Sequence, residues 1–284
     1  MIRKRLITAV SVISLLLPIA AFAQGTPPQG QQRPSGASTA QGSPQETRAA
    51  RATDLQGMTV KNRQGDTLGE IEELVLDVQD GRVAYVVLDV GGWFDLGGKH
   101  MAAPWNALAL KPGAREITLN IDKDKLRQAP SFERTYGPDA VERAWLVDVH
   151  NFYGVPPYPS LQVVTAEKIS VAQADTILGM DVENAQGNNL GEIEDLMIDL
   201  QDGRIAYAGL AYGGWLGLGE TMAAVPWQAL KLNAAEREFT LNVDKEKLRG
   251  APSFARDQWP QTLDRKWLSD VYAYYGAKPT WETR

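Results

Sequence analysis

The chain has 284 residues, a formal net charge of −6, a sequence pI near 5.1, two histidines and no cysteine. An acidic chain repels nucleic-acid backbones, so nucleic acid is not expected as a partner. Without cysteine there are no disulfides and no thiol chemistry in any compartment.

Met1 to Arg5 is basic, Leu6 to Ala20 is apolar, and Ala21-Phe22-Ala23 is a small-x-small cleavage pattern. Residues 1–23 therefore predict a secretory signal peptide, too short and wrongly flanked for a good membrane anchor. The alternative is that the segment is kept as an anchor. No cysteine follows it, which excludes a lipid-anchored form. Cleavage would remove Arg3, Lys4 and Arg5, taking the charge of −6 down by three to −9. The expected location is the bacterial periplasm, with no stable membrane span after cleavage. Residues 24–53 carry almost no large apolar side chain and predict a disordered polar linker.

Beyond this the chain repeats itself. Leu68 to Trp93 returns as Leu190 to Trp215 at a constant offset of 122 residues, and 17 of the 26 positions are identical. The offset defines one unit over residues 54–155 and a second over 176–277, joined by a linker, 156–175, and followed by a tail, 278–284. The absence of gaps predicts that the two fold as separate barrels with matching hydrophobic faces. Each unit opens with Gly-Met, a short strand and an Asn-x-x-Gly turn (Asn62 to Gly65, Asn184 to Gly187).

A β-hairpin follows in each unit. Asp80-Gly81 and Asp202-Gly203 predict two-residue turns, which need positive φ at both positions. Val78 would then face Val83, Leu76 would face Tyr85, and Leu74 would face Val87, giving one wholly apolar face. The opposite face is only partly polar. Ile71 is one residue out of phase with Leu74, which predicts a β-bulge near Glu72-Glu73. A glycine-rich loop comes next, beginning at Gly91 and at Gly213. Ala102-Ala103-Pro104-Trp105 and Ala224-Val225-Pro226-Trp227 begin another strand, and Ile117 to Ile121 and Phe239 to Val243 alternate as the last. Asp122 and Asp244 cap one helical turn each. Turns every 8–12 residues indicate a small antiparallel barrel.

Each unit ends in a helix, starting at Pro138-Asp139 in the first and stopped by Gly154 or Gly276. Val141, Trp145, Val149 and Phe152, matched by Leu263, Trp267, Val271 and Tyr274, form a stripe that packs on the domain's own core. The partly apolar outer face of the hairpin is one surface this helix could cover.

The order Asn-x-x-Gly, Leu-Gly-Glu-Ile-Glu-Asp, Asp-Gly-Arg, Gly-Gly, Gly-x-Gly, Val-Pro-Trp, Ala-Pro-Ser-Phe resembles the PRC-barrel family, around residues 54–132 and 176–254. The resemblance implies a mainly β protein of two tandem small antiparallel β-barrels, each followed by a C-terminal α-helix. It implies interaction or assembly modules without a shared active site. The chain lacks the transmembrane helix of the reaction-centre H subunit and the second domain of the ribosome-maturation factor, both members of that family. Fold analogy does not give function.

His100 and His150 align with Met222 and Tyr272, so neither barrel repeats a histidine-based catalytic or metal device. The glycine loops lack the Gly-Lys-Ser/Thr of a phosphate loop. No catalytic residue, cofactor or metal site is expected, and the chain reads as a non-enzymatic protein whose partner is an envelope protein or component. The candidate contact residues are Trp93, Phe94 and Leu96 on one loop and Trp215, Leu216 and Leu218 on the other. Such side chains either fold back over the barrel end or face a partner. The alternative function is ligand or cation binding on the carboxylates Glu70, Glu72, Glu73, Asp77 and Asp80, matched by Glu192, Glu194, Asp195, Asp199 and Asp202.

Overall fold

The computed structural model describes residues 47–91, 99–110, 116–133, 140–213, 221–260, 262–279 and 281. The chain begins with β1 (Thr47–Arg51) and the single turn α1 (Ala52–Leu55). The first barrel is built from β2 (Thr59–Lys61), β3 (Thr67–Asp77), β4 (Arg82–Asp89), β5 (Lys99–Ala103), β6 (Leu108–Leu110) and β7 (Glu116–Leu119). It closes with α2 (Lys123–Leu126), β8 (Ser131–Glu133), β9 (Ala140–Glu142) and α3 (Arg143–Tyr153). The connection holds α4 (Pro159–Val163), β10 (Lys168–Gln173) and α5 (Ala174–Ile177).

The second barrel repeats the series. Its strands are β11 (Asp181–Glu183), β12 (Asn189–Asp199), β13 (Ile205–Tyr212), β14 (Thr221–Val225), β15 (Leu230–Asn233) and β16 (Glu238–Leu241). Then come α6 (Lys245–Arg249), β17 (Ser253–Ala255), β18 (Thr262–Leu263) and α7 (Arg265–Tyr275). The strand orders are β6-β7-β2-β3-β4-β5-β8 and β15-β16-β11-β12-β13-β14-β17. Pairing is antiparallel except for one parallel pair in each barrel, β2 with β7 and β11 with β16.

The two repeats exchange strands. β1, which precedes the first barrel, pairs with β12 and β18 of the second, setting Ala50 opposite Ile198. β10, which precedes the second barrel, pairs with β3 and β9 of the first, setting Ala172 opposite Leu76. Residues 47–53 were expected in a disordered polar linker and 168–175 in the linker between the units, so this is a correction, and its cause lies in β3 and β12. Each is eleven residues long and bends at the expected bulge, where the register shifts between Ile71 and Glu73 or between Ile193 and Asp195. The first half of β3 pairs with β2, and the second half, Val75 to Asp77, has an edge free for β10. An unpaired buried edge is costly, and the neighbouring repeat satisfies it.

The hairpin turn also differs from the expected two-residue loop. Asp77 pairs with Arg82 across a four-residue loop, Val78 to Gly81. The Asp77 carboxylate accepts the amides of Gln79 and Asp80 at 3.0 Å, and the Gly81 N–H donates to the Asp77 carbonyl at 2.9 Å. Only Gly81 then needs positive φ (67°). A further register shift lies between Val75 and Leu76, so Leu76 faces Val83 and Val75 faces Tyr85. Tyr85 and Val87 therefore turn outward, away from Leu74 and Leu76.

One apolar core runs through both barrels, joining Leu76, Val83 and Trp105 of the first repeat to Ile198, Ile205 and Trp227 of the second. The units are thus not separate barrels. All described residues fall in one compact unit, residues 42–284. Two smaller clusters lie outside it. Helix α3 covers Val75, Tyr85 and Val87 with Leu146 and Val149, and α7 covers Met197 and Tyr207 with Leu268, Val271 and Tyr272. The helices do cover the outer hairpin faces, but they begin at Arg143 and Arg265, after short strands that carry Val141 and Leu263. Both end at a left-handed glycine, Gly154 and Gly276, at φ 68°.

Candidate functional site

The hairpin tips meet at a pseudo-two-fold axis. The Val83 N–H donates to the Gly203 carbonyl at 2.8 Å, and the Ile205 N–H donates to the Gly81 carbonyl at 2.9 Å, around an antiparallel bridge between Arg82 and Arg204. Trp227 lies on the Gly81 turn and its indole N–H donates to the Val78 carbonyl at 3.0 Å; Trp105 lies on the Gly203 turn. A Cβ on either glycine would overlap the opposing indole ring. The repeated Pro-Trp and Asp-Gly signals are thus two halves of one contact. Asp80 receives Arg82, the Ser160 hydroxyl at 2.6 Å, and Arg204 at 3.5 Å. The Tyr158 hydroxyl donates to Asp77 at 2.9 Å beneath the Arg82 guanidinium. Burial pushes the Asp77 carboxyl up from its ordinary value, against the donors around it.

The carboxylates of the bulge serve the exchanged segments. Glu73 and Asp195 follow the extra residue and lie on the outer face of the hairpin, opposite Val87 and Gly209, where they are only 7% and 2% exposed. Each accepts the backbone N–H of the residue that follows it, Leu74 or Leu196, and each meets the start of the short helix from the other repeat. Asp195 accepts the hydroxyl and backbone N–H of Thr53, with Arg51 at 4.0 Å. Glu73 accepts the Gln56 amide at 3.1 Å, and the same amide nitrogen donates to Asp175 at 2.7 Å. Burial first, and Asp175 second, push the Glu73 carboxyl up to about 7. Gln56, Thr53, Arg51 and Asp175 were not singled out from sequence. The available signal was an acidic residue shifted by a bulge onto the partly apolar outer face of the hairpin, where burial requires donors nearby.

Among the other acidic candidates, Glu72 pairs with His100 and Glu194 with Arg256 at 2.6 Å. Asp199 and Asp202 accept backbone amides of their own turn, at 2.8 and 3.1 Å. Glu70 lies across the strands from Asp89 and lines an open groove of about 220 Å³ with Thr59, Gly91 and Lys123; its counterpart Glu192 faces Ala211. Among the described residues no group of three or more acidic or histidine side chains is placed to hold a metal ion. His150 is buried and its Nδ1 lies 2.8 Å from the Leu146 carbonyl, a contact within its own helix. The loop candidates Trp93, Phe94, Leu96, Trp215, Leu216 and Leu218 lie outside the described residues.

The strands that lead into those loops are described. β4 and β13 both start at the tip contact and run antiparallel to each other, so Asp89 and Tyr212 lie at opposite ends of the pair. Eight residues at ~3.3 Å each put either strand end up to roughly 25 Å from the axis. Among the described residues, no helix is long and apolar enough to cross a membrane.

No curated protein matches the chain. The family model for the PRC-barrel domain matches residues 48–126 and 171–248, together more than half of the sequence. Both matches begin within the exchanged strands, earlier than the boundaries at 54 and 176 expected from the resemblance. A strand-exchanged, mainly β pair with a doubled match of this kind leaves one conclusion: the chain belongs to the PRC-barrel family, as two such domains in tandem.

Proposed function

We propose that this tandem PRC-barrel chain is a non-enzymatic interaction or assembly module of the bacterial envelope, exported by its N-terminal segment, with another envelope protein or component as partner. The observation that carries the reading is the opposed direction of β4 and β13. Two related loops leave from opposite ends of one interlocked body, an arrangement suited to bridging two partner molecules or two sites on one. The polar groups of the described interior supply turns, caps and inter-repeat contacts, so they support a rigid spacer rather than a reaction centre. Trp93 and Trp215 are the residues proposed to make the contact.

Crosslinked pull-down of the full chain from its own periplasm tests this. W93A and W215A should each reduce partner recovery, and the double variant should abolish it, with melting temperatures within a degree or two of the unsubstituted protein. A large loss of stability with unchanged recovery would show that the indoles close the barrel ends instead.

A further inference from the structure

The two exchange junctions are related by the 122-residue offset but differ in charge. At the second, Asp195 meets the Thr53 hydroxyl, with Arg51 at 4.0 Å. At the first, the equivalent positions hold Glu73, Asp175 and Gln173, and two carboxyls share a single amide nitrogen, that of Gln56. Gln56 itself corresponds to Leu178. Glu73 is only 7% exposed, so its own charge is poorly hydrated, whereas Asp175 beside it reaches solvent. The other neighbours are uncharged: Val87 lies opposite on β4, and Gln173 pairs with Val75 on β10. Beside Glu73 on β3, Glu72 is paired with His100 of β5.

We propose that the exchanged strand β10 and helix α5 form a pH-sensitive latch on the first barrel, closed when Glu73 carries a proton and loosened when Glu73 and Asp175 are both charged. At the β1 junction burial also pushes the Asp195 carboxyl up, but the Thr53 donors and Arg51, itself shared with Asp54, favour the charged form, so that junction changes less with pH. The sign follows from where the proton binds. The folded junction holds the Glu73 proton up to about pH 7, whereas an exposed glutamate loses it near 4.5. Closure is therefore most favourable below pH 4.5, weakens as pH rises from there to about 7, and is level above. In an envelope whose pH follows the surroundings, the repeats would tighten in acid and loosen near neutrality.

Hydrogen exchange of the full chain between pH 4 and 9, corrected for intrinsic rates, tests the latch. Amides of residues 168–175 should open up to tenfold more for each pH unit across the window, while those of 47–53 provide the internal reference. E73Q should hold the low-pH protection of 168–175 throughout. D175T, which copies the second junction, should flatten the profile even if E73Q folds poorly. H100N separates the neighbouring Glu72–His100 pair and should keep the slope. A wild-type profile that does not change with pH overturns the proposal. So does a slope that survives in folded E73Q or D175T, or one that disappears only in H100N.

Discussion

The outer layers of the two repeats do the same task with different material. In the first, the connection folds back over the hairpin: Tyr158 and Leu161 are buried there, and Tyr158 and Ser160 donate to Asp77 and Asp80. In the second, aromatic rings do the covering. Trp259 stacks on Tyr207 at 6.4 Å and fills the space above Gly209, where the first repeat has Val87; Trp281 meets Tyr272 edge to face at 5.3 Å. The shared inner core is symmetric, and the covers are not. A duplicated domain must keep whatever faces its twin, whereas its outer face needs only enough apolar area and satisfied polar groups.

The largest effect should come from the symmetric part. L76D or I198D places a charge in the core common to both barrels, at a cost of several kcal/mol, about the whole stability of a domain. Either substitution should unfold both repeats together, and calorimetry of the unsubstituted chain should show one transition. Two separable transitions, with one repeat surviving, would break the picture of a single core. Next come the covers. W259A should lower stability by ~2–3 kcal/mol through lost packing on Tyr207 and Phe254. Y158F should cost ~1–3 kcal/mol, because the buried Asp77 carboxylate loses a donor. Denaturant melts should show the Y158F loss shrinking as acid protonates Asp77, since the neutral carboxyl needs that donor less, while the W259A loss persists. The smallest effect should be the most equal. Asp122 and Asp244 accept the amides of Lys125 and Lys247 at 2.7 and 2.6 Å. D122A and D244A should each cost ~1 kcal/mol, and a clear inequality would mean that the repeats do not share one stability.

Local features were legible in the sequence because their causes are local. The slip between Ile71 and Leu74 marked the bulge, Asp122 and Asp244 marked their caps, and Gly154 and Gly276 marked the helix ends. The four-residue hairpin loop was hidden because Asp-Gly fits more than one turn, and the side chain that selects it, Asp77, lies three residues earlier. The exchange was hidden for another reason. Among its described side chains β1 buries Ala49 and half-buries Ala50 and Arg51, and its sequence neighbours are polar, so no periodic signal separates it from a tether. Its place depends on an edge 150 residues away. Trp105 and Trp227 were read as strand starts, and nothing within one repeat says that each faces a glycine of the other. Of the candidate site, the acidic side chains were named from sequence, but the groups that hold them are scattered: Thr53 reaches Asp195 across 142 residues, and Gln56 ties Glu73 to Asp175 of the exchanged segment.

The pairing of β1 with β18 also sets a clock. Thr47 lies opposite Leu263, so one of the first ordered strands to leave the ribosome must wait for one of the last. At ~5–20 residues per second, that interval is roughly 10–40 s. Until β12 is made β1 has no partner, its pairing stays incomplete until β18 follows, and the first barrel waits in turn for β10. Closure of the native pair is thus a late event, and until then the nascent chain stays open enough to be threaded, chaperoned or cut.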